Sequence, residues 1–162
     1  GWYVCEAARK IRNGAEVSMV QKELEQVFAR DEVCLAAFSL KQMKKSGRIS
    51  AAAAFAGELL GLRPIISLND GVSSVKSKVR GDAAVIPAMI KYVKSRVENV
   101  QELEYQLAYT DGERINELVK QCKKEFGHPP VNVFQLGCVV SANTGPDALA
   151  ITFLGQDRGP RA

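Results

Sequence analysis

Three short segments carry the side chains best suited to chemistry, and they point to anion binding rather than to bond making. Ser141-Ala142-Asn143-Thr144-Gly145-Pro146-Asp147 sets an amide and a hydroxyl just before a glycine–proline pair. Gly145 admits backbone angles that other residues avoid, and Pro146 fixes the next φ. Such a loop can turn several N–H groups toward one point and hold a carboxylate or phosphate. Asn143 and Thr144 would add side-chain donors. The same pattern suits a tight connection between two strands, and residue types alone leave both readings open.

The second segment, Lys45-Ser46-Gly47-Arg48-Ile49-Ser50, runs into the small-residue stretch Ala51–Leu60. Arg48 stands just before a helix start, where a planar guanidinium can grip an anionic group on a partner or pair with a nearby surface acid. In the third, Lys78-Val79-Arg80-Gly81, Arg80 either extends that basic site or guards a strand edge against stray pairing.

Other chemistries lack their residues. The single histidine, His128, is followed by two prolines and has no nucleophile motif beside it. No phosphate-binding P-loop, dinucleotide fingerprint or G-x-S-x-G is present. Asp70, Asp111 and Asp147 stand at expected turns, where Asp caps the chain. Cys5, Cys34, Cys122 and Cys138 are too far apart for a metal-ligand pattern. The reading is a protein that is not an enzyme, without metal or cofactor. The net charge of +4 is too small, and its basic residues too interleaved with acids, to indicate nucleic acid. No apolar run is long enough for an integral membrane segment. Scattered cysteines with no signal-peptide pattern suggest reduced thiols and a cytoplasmic location. A start at Gly1 rather than Met suggests an excised piece.

Periodicity supplies the elements that must hold these residues. Helical spacing covers Trp2–Arg12, Val17–Phe28, Leu40–Lys45, Ala51–Leu60, Asp82–Val97 with Pro87 in its first turns, and Glu113–Phe126. Short apolar runs predict strands at Val33–Phe38, Pro64–Leu68, Glu104–Tyr109, Val131–Val140 and Leu149–Leu154. Asn69-Asp70-Gly71 predicts a hairpin returning along Val72–Val79. Cys34 and Cys138 fall in predicted strands, where a free thiol behaves as a small hydrophobe. Hairpins mixed with helices favour an α/β, two-layer domain whose mixed sheet of about six strands is covered by helices. One domain over 1–155 and a frayed tail over 156–162 are expected.

The order Lys-Ser-Gly-Arg-Ile-Ser, Leu62-Arg63-Pro64-Ile65-Ile66, Asp70-Gly71, Lys78-Val79-Arg80-Gly81 and Asn143-Thr144-Gly145-Pro146-Asp147-Ala148-Leu149 resembles the C-terminal domain of the DegV family of bacterial fatty-acid-binding proteins. The resemblance covers nearly the whole chain and implies that the family's N-terminal domain is absent from it. It implies one bound long-chain fatty acid, held between the two domains and presented to a fatty acid kinase, a step toward phospholipid precursors. It places the carboxylate at Asn143, Thr144 and Gly145, with Asn143 where the family has histidine. It places partner docking at Arg48 and Arg80. The acyl tail would enter between the sheet and Ala51–Leu60, lined by Phe38, Ala52, Phe55, Ile66, Phe134, Ile151 and Phe153, residue types that a plain core uses equally. The rival readings are a dihydroxyacetone-kinase-like subunit, which would need a substrate-holding histidine, and a domain that binds no lipid and only docks partners.

Overall fold

The structure, a computed structural model, describes residues 2–47, 61–69 and 72–157. Among these, β1 (Asp31–Ala37), β2 (Leu62–Asn69), β3 (Val72–Arg80), β4 (Tyr105–Tyr109), β5 (Asn132–Gln135) and β6 (Ala148–Leu154) form one sheet in the order β3-β2-β1-β6-β4-β5. Each neighbouring pair is antiparallel except β4 with β5, which is parallel. The mixed six-stranded sheet expected from the sequence is therefore present.

Alternation along the strands splits their side chains between two faces. Cys34, Ala36, Ile65, Tyr105, Leu107, Leu149, Ile151 and Phe153 belong to the larger core. That face is covered by α4 (Val85–Lys94) and α5 (Ile115–Phe126). Their buried residues, Val85, Ile86, Met89, Ile90 and Val93 on one helix and Ile115, Leu118, Cys122 and Phe126 on the other, recur at helical spacing and form one apolar stripe each. Pro87 is the third residue of α4, where the absent N–H breaks no intrahelical bond. The predicted helix Asp82–Val97 is shorter in fact, because Asp82–Ala84 forms a 3-10 turn ahead of it.

The opposite face is smaller. Leu35, Ala37, Ile66, Ala108 and Ala150 pack there with Leu40 and Met43 of α3 (Leu40–Lys45), and with Phe134 and Leu136. α1 (Trp2–Arg12) and α2 (Val17–Phe28) pack on each other, with Tyr3 edge-on to Phe28 at 4.7 Å and Lys10 paired to Glu23.

The predicted strand Val131–Val140 is corrected. Pairing with β4 stops at Gln135. Leu136 donates one last bond to Tyr109 O, and Gly137 then starts the helix α6 (Cys138–Thr144), with Val140 and Ser141 N–H donating to its carbonyl. An edge strand buries little, so an apolar run there is not held extended to its end. Val139 is 75% exposed. Cys138 is consequently an exposed helical residue and not a strand residue. The predicted helix Ala51–Leu60, with Arg48, Ala52 and Phe55, lies outside the described residues, as do Asp70-Gly71 and 158–162.

Candidate functional site

The loop Gly145-Pro146-Asp147 sits at the end of the sheet where β1 finishes and β6 begins, directly after α6. Gly145 has φ 90° and ψ 179°, and its carbonyl accepts from the Thr144 hydroxyl at 3.4 Å. The loop is clamped by its neighbours. Phe38 N–H donates to Asp147 O at 3.0 Å. Thr110 Oγ1 donates to Pro146 O at 2.7 Å and accepts from Ala148 N–H at 2.8 Å. On the other side α6 lies against α3, where Gln42 Nε2 donates to Ala142 O at 2.9 Å and Ser46 Oγ approaches Asn143 O at 3.4 Å.

Most donors that the sequence offered to an anion are used inside the chain. Asn143 Nδ2 donates to Val139 O at 2.7 Å, Thr144 Oγ1 to Val140 O at 3.1 Å, and Gly145 N–H to Ser141 O at 2.8 Å. The amide of Asn143 keeps a second hydrogen, because an amide nitrogen carries two. The expected donor-lined turn is thus the last turn of a short helix, with Asn143 half-buried and Thr144 buried.

Beside the loop, Arg114 lies between two carboxylates. Its Nε is 3.1 Å from both oxygens of Asp147, its Nη2 is 2.9 Å from Asp82 Oδ2, and its guanidinium stands 4.1 Å over the Phe38 ring. Asp82 Oδ1 also accepts from Arg63 Nε at 2.8 Å. The carboxylates hold the Arg114 proton more tightly than usual, against the opposing pull of burial. Spacing gave no sign of this cluster, because Asp82, Arg114 and Asp147 come from three distant turns. Asp147, expected to cap, is an ion-pair partner, and Asp111 accepts from Glu113 N–H in the turn ahead of α5, whose N-cap is Arg114.

The residues expected to line one apolar pocket divide between the faces. Phe38, Ile151 and Phe153 lie in the larger core under α4 and α5. Ile66 and Phe134 lie on the opposite side of the sheet. Strand alternation makes this unavoidable, since Ile66 pairs with Leu35, one residue from the Cys34 that pairs with Ile151. On the smaller face the register produces a row across five strands, Ile66–Leu35–Ala150–Ala108–Phe134. Its middle is two adjacent alanines, Ala150 and Ala108, both buried, so little side-chain bulk rises from the sheet there. Arg80 is the exposed last residue of β3, paired with Leu62.

A second polar cluster closes the other end of the sheet. Glu32 is fully buried and accepts from Tyr92 Oη at 2.9 Å and from Arg96 Nε at 2.8 Å and Nη2 at 2.6 Å. Burial, with the neighbouring Glu32, pushes the Tyr92 phenol up to about 12. Gly155 fits closely here, because a Cβ would stand 3.0 Å from Glu32 Cγ and 3.1 Å from Arg96 O. A solvent-open cleft of about 660 Å³ nearby is bordered by Glu98, Glu102 and Glu104, a charge unsuited to a carboxylate ligand. His128 does not stand free: its carbonyl accepts from Tyr105 Oη at 2.8 Å and its ring tilts on the Tyr105 ring. Among the described residues no helix is long and apolar enough to cross a membrane, and no group of His, Cys, Asp and Glu could hold a metal ion.

Known proteins share this fold. A DegV domain-containing protein of Caldanaerobacter subterraneus is 29% identical over 154 residues, covering 94% of this chain and 55% of that relative. A stearic acid-binding protein from Eubacterium ventriosum superposes with a TM-score of 0.81 at 20% identity, over 95% of this chain and 54% of that one. The Fatty Acid Kinase (Fak) B3 protein of Streptococcus pneumoniae, loaded with linoleic acid, superposes with a TM-score of 0.82 at 15% identity, over 96% and 55%. These likenesses show a shared fold. The chain spans about half the length of the relatives it matches. The family model described as "Uncharacterised protein, DegV family" matches residues 1–156, and the chain belongs to that family.

Proposed function

We infer that this chain supplies one half of a binding site for a single long-chain fatty acid. The observation that carries this reading is the alanine-floored row on the smaller face, close to the turn that ends α6. The acyl tail runs over Ala150 and Ala108, between Phe134 and Leu35. Each methylene removed from water contributes about 0.8 kcal/mol, so the tail supplies most of the affinity. The carboxylate meets the second amide hydrogen of Asn143 and the Thr144 hydroxyl, which must turn away from Val140 O, beside Gly145. Remaining donors come from the rest of the full-length protein. Fatty acids bound by the neighbouring structures support this choice of ligand. Arg80, and Arg48 by its position in the sequence, dock the fatty acid kinase that acts on the bound acid. The protein itself performs no catalytic step and works among the reduced thiols of the cytoplasm.

One observation favours a second reading, a domain that docks partners and holds no lipid. The N–H of Gly145 and the hydroxyl of Thr144 are already engaged within the chain. For the dihydroxyacetone-kinase-like reading no observation speaks, since His128 is tied to Tyr105 and lies among structural contacts.

Titration of the delipidated full-length protein with oleate tests the reading. One-to-one binding at micromolar ligand is expected. Ala150→Leu adds bulk to the alanine-floored row and should weaken binding by tenfold or more, an order-of-magnitude figure for blocking about 1.4 kcal/mol of contact, with a melt of the variant showing that it still folds. No binding by the wild type would favour the docking reading. Equal binding by Ala150→Leu would remove the tail from this face.

A further inference from the structure

Arg114 touches three separate segments at one end of the sheet. One edge of its guanidinium meets Asp147, which follows Gly145 and Pro146. Another meets Asp82, which follows the end of β3. The plane lies on Phe38 at the end of β1. Asp82 passes the contact on to Arg63 near the start of β2. Isolated exposed ion pairs contribute little. This one differs, because its members alternate in sign, share one planar group and are partly shielded by an aromatic ring. The fork of an arginine can face two carboxylates at fixed angles, whereas a lysine ammonium offers a single point of charge.

We propose that Arg114 is a positioning residue that couples the Gly145–Asp147 loop to the base of the β2–β3 hairpin, so that a change at the loop is passed to Gly81 and Asp82. The route is Asp147–Arg114–Asp82, and every step is a contact of 3.1 Å or less. Gly81 reports the far end, because its N–H bonds to Gly61 O at 2.9 Å and its peptide leads into Asp82. The coupling itself stands on these contacts. Its use in ligand sensing rests on the fatty-acid reading.

Amide spectra of the full-length protein test both parts separately. Asp147→Asn alone should shift the Gly81 amide signal, and the same change in an Arg114→Lys background should leave it in place. Arg114→Gln is the second background, so that neither charge loss nor a poorly folded variant decides alone. A silent Gly81 in Asp147→Asn, or an equal shift in both Arg114 backgrounds, would overturn the coupling. Oleate should move the Gly145 and Gly81 signals of the wild type together. In Arg114→Lys it should move Gly145 only, with affinity lower by roughly two- to thirtyfold, the range for changes along a coupled network. Oleate that moves no signal refutes the fatty-acid reading, while the Asp147 comparison still decides the coupling. Equal movement of Gly81 in wild type and Arg114→Lys overturns the ligand-sensing role.

Discussion

Replacing Glu32 by Ala should destabilise the protein by about 3 kcal/mol, the lower end of the range for breaking a buried pair from one side. The carboxylate is fully buried and holds two partners through three contacts. Its loss strands the guanidinium of Arg96 and removes the carboxylate from the hydroxyl of Tyr92, which still faces Ser67. Arg96 is 29% exposed, so water recovers part of its hydration and keeps the cost from the top of the range. The reverse change is harsher. Arg96→Ala leaves a carboxylate with no exposure and only the Tyr92 hydroxyl to meet it. The expected order of cost is Arg96→Ala, then Glu32→Ala, then Tyr92→Phe, which loses one hydrogen bond worth about 1.5–3 kcal/mol at most. Urea denaturation followed by circular dichroism measures all three, with an unchanged slope showing that the two-state comparison holds. For a chain of this size, 3 kcal/mol lowers the melting temperature by roughly 6–12 °C. A cost below about 1 kcal/mol for Glu32→Ala, or Tyr92→Phe costing more than Arg96→Ala, would refute the claim that this carboxylate anchors that end of the sheet.

Further outcomes follow from the same geometry. Cys5 and Cys138 are exposed and should react quickly with a thiol reagent, while Cys34 and Cys122 react only on unfolding; fast modification of all four would contradict the described core. Burial raises Cys122 from 9 to about 12, and burial with Glu32 raises Tyr92 from 10 to about 12. Both folded values lie above the unfolded ones, so this stability is complete below pH 9 and is lost as pH rises through 12; Tyr92→Phe should flatten the fall above pH 10 in a pH series of melts. Gly145→Ala puts a side chain at φ 90° and 3.4 Å from Gln42 Cβ, and should cost about 1–3 kcal/mol in the same denaturation assay; a neutral result would mean that the turn relaxes freely. Asn143→His should tighten oleate binding by about 1 kcal/mol, more at mildly acidic pH where the ring is charged, and equal affinity across pH would separate this position from the carboxylate.

The fold was readable where burial imposes a period. α1, α2 and α3 have the bounds their apolar spacing predicts, and the β2–β3 pair stands where Asn69 and Val72 flank a hairpin signal. Reading failed along Val131–Val140, where apolar residues belong to an exposed edge strand and then to a short helix. Gly137 and Gly145, nine residues apart counted inclusively, bracket that helix and were the available signal. The site was less legible than the fold. Asn143, Thr144 and Gly145 were identifiable as donors, but only the helix shows that their hydrogens are spent on Val139, Val140 and Ser141. Arg114 could not be found at all, because what makes it special is the meeting of Asp82 and Asp147, and that meeting exists only in the folded chain.

The position of β6 bears on how the chain acquires this structure. Among the described residues the last strand, β6, lies between β1 and β4, and pairs Asp31 with Leu154 and Tyr105 with Phe153. Without Ala148–Leu154 the other described strands fall into two sets with no pairing between them, β3-β2-β1 and β4-β5. Loop closure over such separations is slow. A chain emerging from the ribosome, or one cut before Ala148, would expose unpaired strand edges to aggregation. Among the described residues β6 is thus the strand that joins the two sets into one sheet, and a chain lacking it would leave the edges of β1 and β4 uncovered.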